Sequence, residues 1–418
     1  MRQLLLRARV LLPVARAPIP DGALLIEGKQ IAAVGRWADL RDFNAPLLDL
    51  GDSILLPGLV NAHCHLDYTA MAGKLPPPRQ FPDWIASILA YKAHWTYTDY
   101  AQSWISGAKM LLRNGVTSVA DIEAVPELLP DVWECTPLRV HSLFEMTGVK
   151  SQVDPALILE ETLARMDTLP QTRNKQAGLS PHAPYSTAPE LFRIASQAAR
   201  QRNLLCSTHL AESQPEFEMY RQAGGPLYQW LKPQRKMDDC DGRSPLRHLH
   251  QLGALHPSMI AVHVNYLAEG DLPLLAASGA SVAHCPRSHT YFNHAPFPYE
   301  KLRDAGVNVC LGTDSLASVL RRGGLEPELN LFEEMREFAL KNPHVSPDEI
   351  LRLATLNGAI ALRQKGILGQ LTPGAAADCI ALSTPPVANP AEAILFPEAA
   401  LQFSMIDGEI LLRPENLS

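Results

Sequence analysis

Between residues 59 and 315 the chain runs through about eight short apolar segments, and nearly every one ends in a residue that can do chemistry. They are LVNAHCH (59–65), TSVADIE (117–123), LRVHSLFE (138–145), AGLSPHA (177–183), LLCSTHLAE (204–212), MIAVHVNY (259–266), ASVAHCPRS (280–288) and VNVCLGTDS (307–315). Helical runs accompany them at 83–95, 99–114, 188–203 and 326–341. Strands alternating with helices build a parallel sheet, and eight such strands close a TIM (β/α)8 barrel. Active sites of these barrels sit at the C-terminal rim of the strands. The pattern therefore gathers His63, His65, Glu123, Glu145, His182, His209, Glu212, His263, His284, Arg287 and Asp314 around one mouth.

The first of these strand ends is Asn61-Ala62-His63-Cys64-His65. Side chains alternate along a strand, so His63 and His65 point one way and Cys64 the other. Two imidazoles on one face make half of a metal site. Each of the remaining residues has a packing alternative. His209, His263 and His284 follow apolar runs and read singly as core histidines, and Asp314 as a helix N-cap. Jointly they resist that explanation, because each would bury a polar group needing its own partner, whereas a shared cation satisfies several at once. Glu123 and Glu145 read as salt-bridge or loop hydrogen-bond partners, and Cys285 as core filler.

The two ends of the chain lack helical periodicity. Residues 2–12, 22–34 and 46–56 read as short strands, with a turn at Glu27-Gly28-Lys29. Residues 376–383 and 401–412 mirror them, with a hairpin turn at Asp407-Gly408. The economical arrangement is one small β-sandwich made from 1–56 and 370–418, beside a barrel of 57–369. Arg7 and Arg9 interrupt the opening apolar run, so it reads as a strand and not as a secretory leader. A net charge of −7 without a basic patch argues against a nucleic-acid partner. No apolar run is long enough to span a bilayer. The seven cysteines form no Cys-x-x-Cys pair and read as reduced thiols, which makes a cytoplasmic location the expectation.

His-x-His after a strand, followed by the strand ends THLAE, VH and GTDS and the late ATLNGA stretch (354–359), resembles the amidohydrolase superfamily over the whole chain. The similar branch contains the cytosine, guanine, adenosine-type and S-adenosylhomocysteine deaminases and the triazine hydrolases. Within it, HCHLDYTAM, FPDWIASI, CPRSH and GTDSLAS look most like the aminodeoxyfutalosine deaminases. The resemblance implies one divalent metal, zinc with iron as the alternative, held by His63, His65, His209 and Asp314. It implies that Glu212 carries protons, that His263 holds the attacking oxygen, that Asp314 assists, and that His182 contacts substrate. The implied reaction is metal-assisted hydrolytic deamination of an amino-substituted N-heterocycle, an adenosine-like compound such as aminodeoxyfutalosine, with release of ammonia. Binuclear relatives carry a carboxylated lysine at the end of the fourth strand. Here Lys175 stands at the wrong end of that strand, so one metal is expected.

Two alternatives stay open: removal of chloride or an alkylamine from a triazine, and a non-catalytic barrel scaffold. Tyr68, Met71, Phe81 and Trp84 in the loop after His65 offer surface to cover a flat ring. Arg287 and His289 are candidates to hydrogen-bond a polar substituent. The expected partner is a small N-heterocyclic substrate, with no nucleic acid and no membrane. A homodimer is the candidate assembly.

Overall fold

The computed structural model of the protein describes residues 3–75, 80–149, 153–321, 323–385 and 387–413. The chain opens with β1 (Gln3–Leu11), β2 (Ile19–Glu27), β3 (Gln30–Arg36), β4 (Leu47–Asp49) and β5 (Ser53–Pro57). Eight strands follow: β6 (Leu59–Cys64), β7 (Val116–Glu123), β8 (Arg139–Met146), β9 (Lys175–Pro181), β10 (Cys206–Leu210), β11 (Met259–His263), β12 (Ser281–His284) and β13 (Val309–Leu311). The chain closes with β14 (Cys379–Ser383), β15 (Ala400–Ile406) and β16 (Glu409–Leu412).

Strands β6 to β13 lie side by side in sequence order, every pairing parallel. Its first and last strands meet through a parallel bridge between Cys64 and Asp314, and the Thr313 N–H donates to the His63 carbonyl at 3.0 Å. The approach is close enough to require glycine at 312: a Cβ there would lie 2.8 Å from the His63 Cβ and carbonyl oxygen. The barrel interior holds Val60, Ala62, Ala120, Ile122, Leu143, Ile260, Val262, Ala283 and Cys310, all fully buried. Leu59, Cys64, Val119, Val140, Leu179 and Val282 face the outer layer of helices.

The terminal strands form one mixed sheet in the order β16-β15-β14-β5-β1-β2-β3, with β4 beside β1. The two ends of the chain join where β5 and β14 pair antiparallel, from Pro57 opposite Cys379 to Ser53 opposite Ser383. The sheet curls on itself, because Leu6, Leu24 and Ile31 share one apolar core with Phe403 and Met405 from its far side. Barrel and sheet are riveted by Arg139 at the base of β8. Its guanidinium donates to Asp378 at 2.5 and 3.0 Å and also to Asp407 and Asn174.

Helix ends follow local capping. The run expected over 99–114 is Tyr97–Arg113, started by a capping box between Thr96 and Asp99. The run expected over 326–341 begins only at Leu331, where the Asn330 side chain accepts from the Phe332 and Glu333 N–H groups. The strand expected over 307–315 is regular only at Val309–Leu311.

Candidate active site

Strand phase decides which rim residues enter the mouth. On β6, Val60 and Ala62 face inward, so unbroken alternation would turn His63 outward. A register shift against β7 between Asn61 and Cys64 reverses the phase, sending Cys64 out among Trp104 and Leu66 and the two histidines in. His263 and Asp314 are re-aimed differently. Their φ values are +73° and +53°, a left-handed conformation costly for residues with a Cβ and concentrated at functional sites.

The result is a tight group of buried ligand atoms. One atom each from His63, His209 and His263 fall within 4.8 Å of one another, as do those of His63, His65 and Asp314, and those of Glu212, His263 and Asp314. His63 Nε2 and His65 Nε2 stand 3.6 and 3.7 Å from Asp314 Oδ1, and His65 Nε2 is 3.2 Å from His209 Nε2. His209 Nδ1 donates to the His182 carbonyl at 2.9 Å, which leaves its Nε2 free to bind a metal. Both ring nitrogens of His63 and Nε2 of His263 are buried without a hydrogen-bond partner among the described residues. Orphaned imidazole nitrogens beside a carboxylate are what a divalent cation would satisfy.

Burial sets the protonation. Burial first, then the charge of His63, holds His65 well below the usual imidazole range; burial and the neighbouring histidines do the same for His209. Burial pushes His263 down to about 3. Burial alone would raise Asp314, but the facing His63, His263 and His65 outweigh it and hold the carboxyl well below its ordinary value. These are the forms that ligate metals. Glu212 goes the other way: burial, then the charges of Asp314 and Glu216, push it well above the carboxylate range. Its Oε1 lies 3.6 Å from His263 Nε2. Its main chain is clamped, with the N–H donating to Glu216 Oε2 and the carbonyl accepting from Asn265, both at 2.8 Å.

A cavity of about 330 Å³ opens on this group, lined by His65, His182, His209, Glu212 and Asp314 at its floor. Trp84 forms part of its wall, as the sequence suggests, and its Nε1 donates to the Ala317 carbonyl at 3.1 Å. Met71 and Phe81 pack behind that wall. Residues 76–79, in the loop after His65, and residues 150–152 lie outside the described residues.

Family comparison agrees with this geometry. The model of the amidohydrolase family matches residues 54–411. The chain belongs to the amidohydrolase family. This amidohydrolase is 30% identical over 415 residues to a 5-methylthioadenosine/S-adenosylhomocysteine deaminase of Nitratidesulfovibrio vulgaris, covering 95% of this chain and 88% of that one. It is 30% identical over 349 residues to the aminodeoxyfutalosine deaminase of Deinococcus radiodurans, covering 81% and 80%. The crystal structure of an adenosine deaminase from Xanthomonas campestris with bound zinc superposes with a TM-score of 0.85 at 24% identity, covering 99% of this chain and 93% of that one.

Not every expected residue reaches the amidohydrolase mouth. Arg287 is turned away: its Nε donates to the buried Glu334 at 2.5 Å and its Nη2 to the Glu328 carbonyl at 2.8 Å, and it borders a separate cleft. His289 bonds the Ala295 carbonyl at 2.8 Å in another cavity, with His284 and His294. His284 is out of phase because Ala283 faces the interior; its ring stacks on Phe297 at 3.7 Å. Glu123 shares the outward face of Asp121, which accepts from the Trp104 indole, and itself accepts from Val125 N–H. Glu145 shares the inward face of Leu143 and lines the cavity, 3.6 Å from His182 Nε2. Sequence reasoning missed Lys92, although Trp84, Ile88 and Lys92 recur every four residues on one helix face. It also missed Tyr185, Trp230 and Gln234, for which no sequence signal existed.

Proposed function

We propose that this amidohydrolase deaminates an adenosine-type compound, and that His63, His65, His209 and Asp314 hold one zinc ion. The observation that carries the reading is Glu212, a buried carboxyl driven towards its protonated form beside His263 and Asp314, at the floor of a cavity walled by Trp84, Tyr68 and Tyr185. The deaminase names of the two relatives above support it. An ion bound there would supply Lewis acidity, which lets water give up a proton and attack at neutral pH.

The chain's own residues do the rest. The aromatic wall holds the heterocycle with its amino-bearing carbon towards the histidines. Glu212 delivers its proton to a ring nitrogen, so that the ring carbon becomes electrophilic, and the carboxylate it leaves takes a proton from the attacking water. His263 Nε2, which has no hydrogen-bond partner among the described residues, hydrogen-bonds the oxygen as it adds. As the C=O bond forms, Asp314 takes the second proton from the added hydroxyl and passes it to the departing nitrogen; the C–N bond breaks and ammonia leaves. Deamination needs that proton because an amine is a poor leaving group, whereas chloride does not. All seven cysteines are free, which supports a reducing, cytoplasmic setting. Among the described residues no helix is long and apolar enough to cross a membrane.

The test is ammonia or chloride release by zinc-loaded protein over adenosine, 5-methylthioadenosine, S-adenosylhomocysteine, aminodeoxyfutalosine, cytosine and a chlorotriazine. An adenosine derivative is expected to have the highest kcat/KM. Cytosine or the chlorotriazine exceeding every adenosine derivative tenfold, about 1.4 kcal/mol of transition-state binding, would reject the substrate class. No turnover of any compound would leave the scaffold reading.

A further inference from the structure

The cavity contains one lysine that the proposed chemistry does not use. Lys92 closes the helix Phe81–Lys92, on the face that also presents Trp84 and Ile88 to the cavity. Its Nζ donates to the Tyr68 hydroxyl at 2.6 Å and sits 4.9 Å from the centre of that ring. Tyr68 in turn stacks on His65, ring centres 5.3 Å apart and planes within 9°. The ammonium is therefore placed one aromatic ring away from a metal-binding imidazole, on the cavity side.

An ammonium has three N–H donors. Among the described residues Lys92 spends one, on Tyr68, and no carboxylate oxygen lies within 4.0 Å of Nζ. Glu145, the other charged residue of the upper cavity, faces His182 instead. The same helix contributes Trp84, Ile85, Ile88 and Leu89 to the cavity lining. Lys92 is half-buried, and the buried Asp67 carboxyl attracts it without contacting it; a ligand that excludes water from Nζ leaves the cation without a contacting anion, and an anion on that ligand offsets the cost.

We infer that Lys92 is a specificity residue, selecting substrates whose tail, distal to the reacting ring, ends in an anion such as a carboxylate. The inference rests on reading the cavity as an adenosine-type site. A ring held with its amino carbon at Glu212 directs its opposite edge, where the tail is attached, towards Tyr68 and Lys92. The apolar residues between would cover the linking part of the tail.

The test compares two 5′-thioethers of adenosine that differ only at the tip of the tail, one ending in a carboxylate and the other in a carboxamide. Their kcat/KM values are measured with zinc-loaded protein, and Kd values of the two corresponding inosines, which cannot be deaminated, by calorimetry. The carboxylate is expected to win by about tenfold or more in both measurements, the size of one charge-assisted contact. Lys92→Met should bring the acid-to-amide ratio near one, Lys92→Glu should invert it, and Lys92→Arg should keep it above one. Circular dichroism and zinc content establish that each variant is folded. A ratio near one in the parent protein, or a preference that survives Lys92→Met, overturns the inference. If both thioethers are deaminated alike, the deaminase reading stands and this inference falls. If the carboxylate inosine binds preferentially but no adenosine releases ammonia, the reverse holds. If neither compound binds or reacts, both fall.

Discussion

Glutamine at position 212 would keep the shape of the side chain and remove its ability to shuttle a proton. The structure makes this a clean perturbation, because Glu212 is positioned by its main chain, through Glu216 and Asn265, and among the described residues its carboxyl makes no short hydrogen bond that the amide would have to replace. General acid–base groups typically contribute about a hundred- to ten-thousand-fold in rate, or about 2.7 to 5.4 kcal/mol of barrier. Glu212→Gln should lose activity in that range or beyond, with KM changed far less than kcat and metal content unchanged. Stability supplies a second readout. A carboxyl whose folded pKa is raised contributes stability that is fully present below its unfolded value and lost as pH rises through the folded one. The metal-free parent should therefore lose ground to metal-free Glu212→Gln as pH rises from about 4 upward, since the remaining buried carboxyls are common to both. The assays are ammonia release, elemental analysis and urea denaturation at several pH values. Activity within tenfold of the parent, or loss of the metal, would refute the proton-carrier role.

Because burial already keeps His65 and His209 neutral, zinc should bind at pH 6.5 with almost no proton release from these two rings, measured by calorimetry in buffers of different ionisation enthalpy; release approaching two protons would contradict it. Gly312→Ala should drive a methyl into the His63 backbone and cost about 1–3 kcal/mol, with weakened zinc retention; an unchanged melting temperature and full zinc content would show that the strand end can give way. Arg139→Met leaves Asp378 buried without its cation and Asp407 with only the exposed Lys29, and should cost about 3–5 kcal/mol by chemical denaturation, without altering zinc content; a loss below about 1 kcal/mol would mean the rivet between barrel and sheet is dispensable.

The alternation of apolar runs with helices was enough to read the eight barrel strands, because a strand buried on both faces must be apolar along its length and must end where the polar rim begins. The chain ends were legible for a similar reason: strand–turn–strand patterns at 19–36 and 400–412 appear as hairpins in the structure. The residues of the candidate centre were legible too, as chemical types at strand ends. What strand pattern alone left undivided was the rim itself, where eleven side chains could each face the mouth or the outer layer. Alternation along one strand relates neighbours only to each other. Whether a given parity faces the barrel axis depends on how that strand is paired with the next, and on single residues that break the count. The shift between Asn61 and Cys64 and the left-handed backbone at His263 and Asp314 leave no trace in composition, yet they turn four of these residues inward: His63, His65, His263 and Asp314. The same parity brings Glu145 into the cavity and leaves Glu123 and His284 in the outer layer. Arg287 was decided at longer range still, by Glu334, a buried carboxylate 47 residues away in sequence that takes the guanidinium before any substrate could. Local pattern determines which residues can serve; the pairing of distant strands determines which of them share a space.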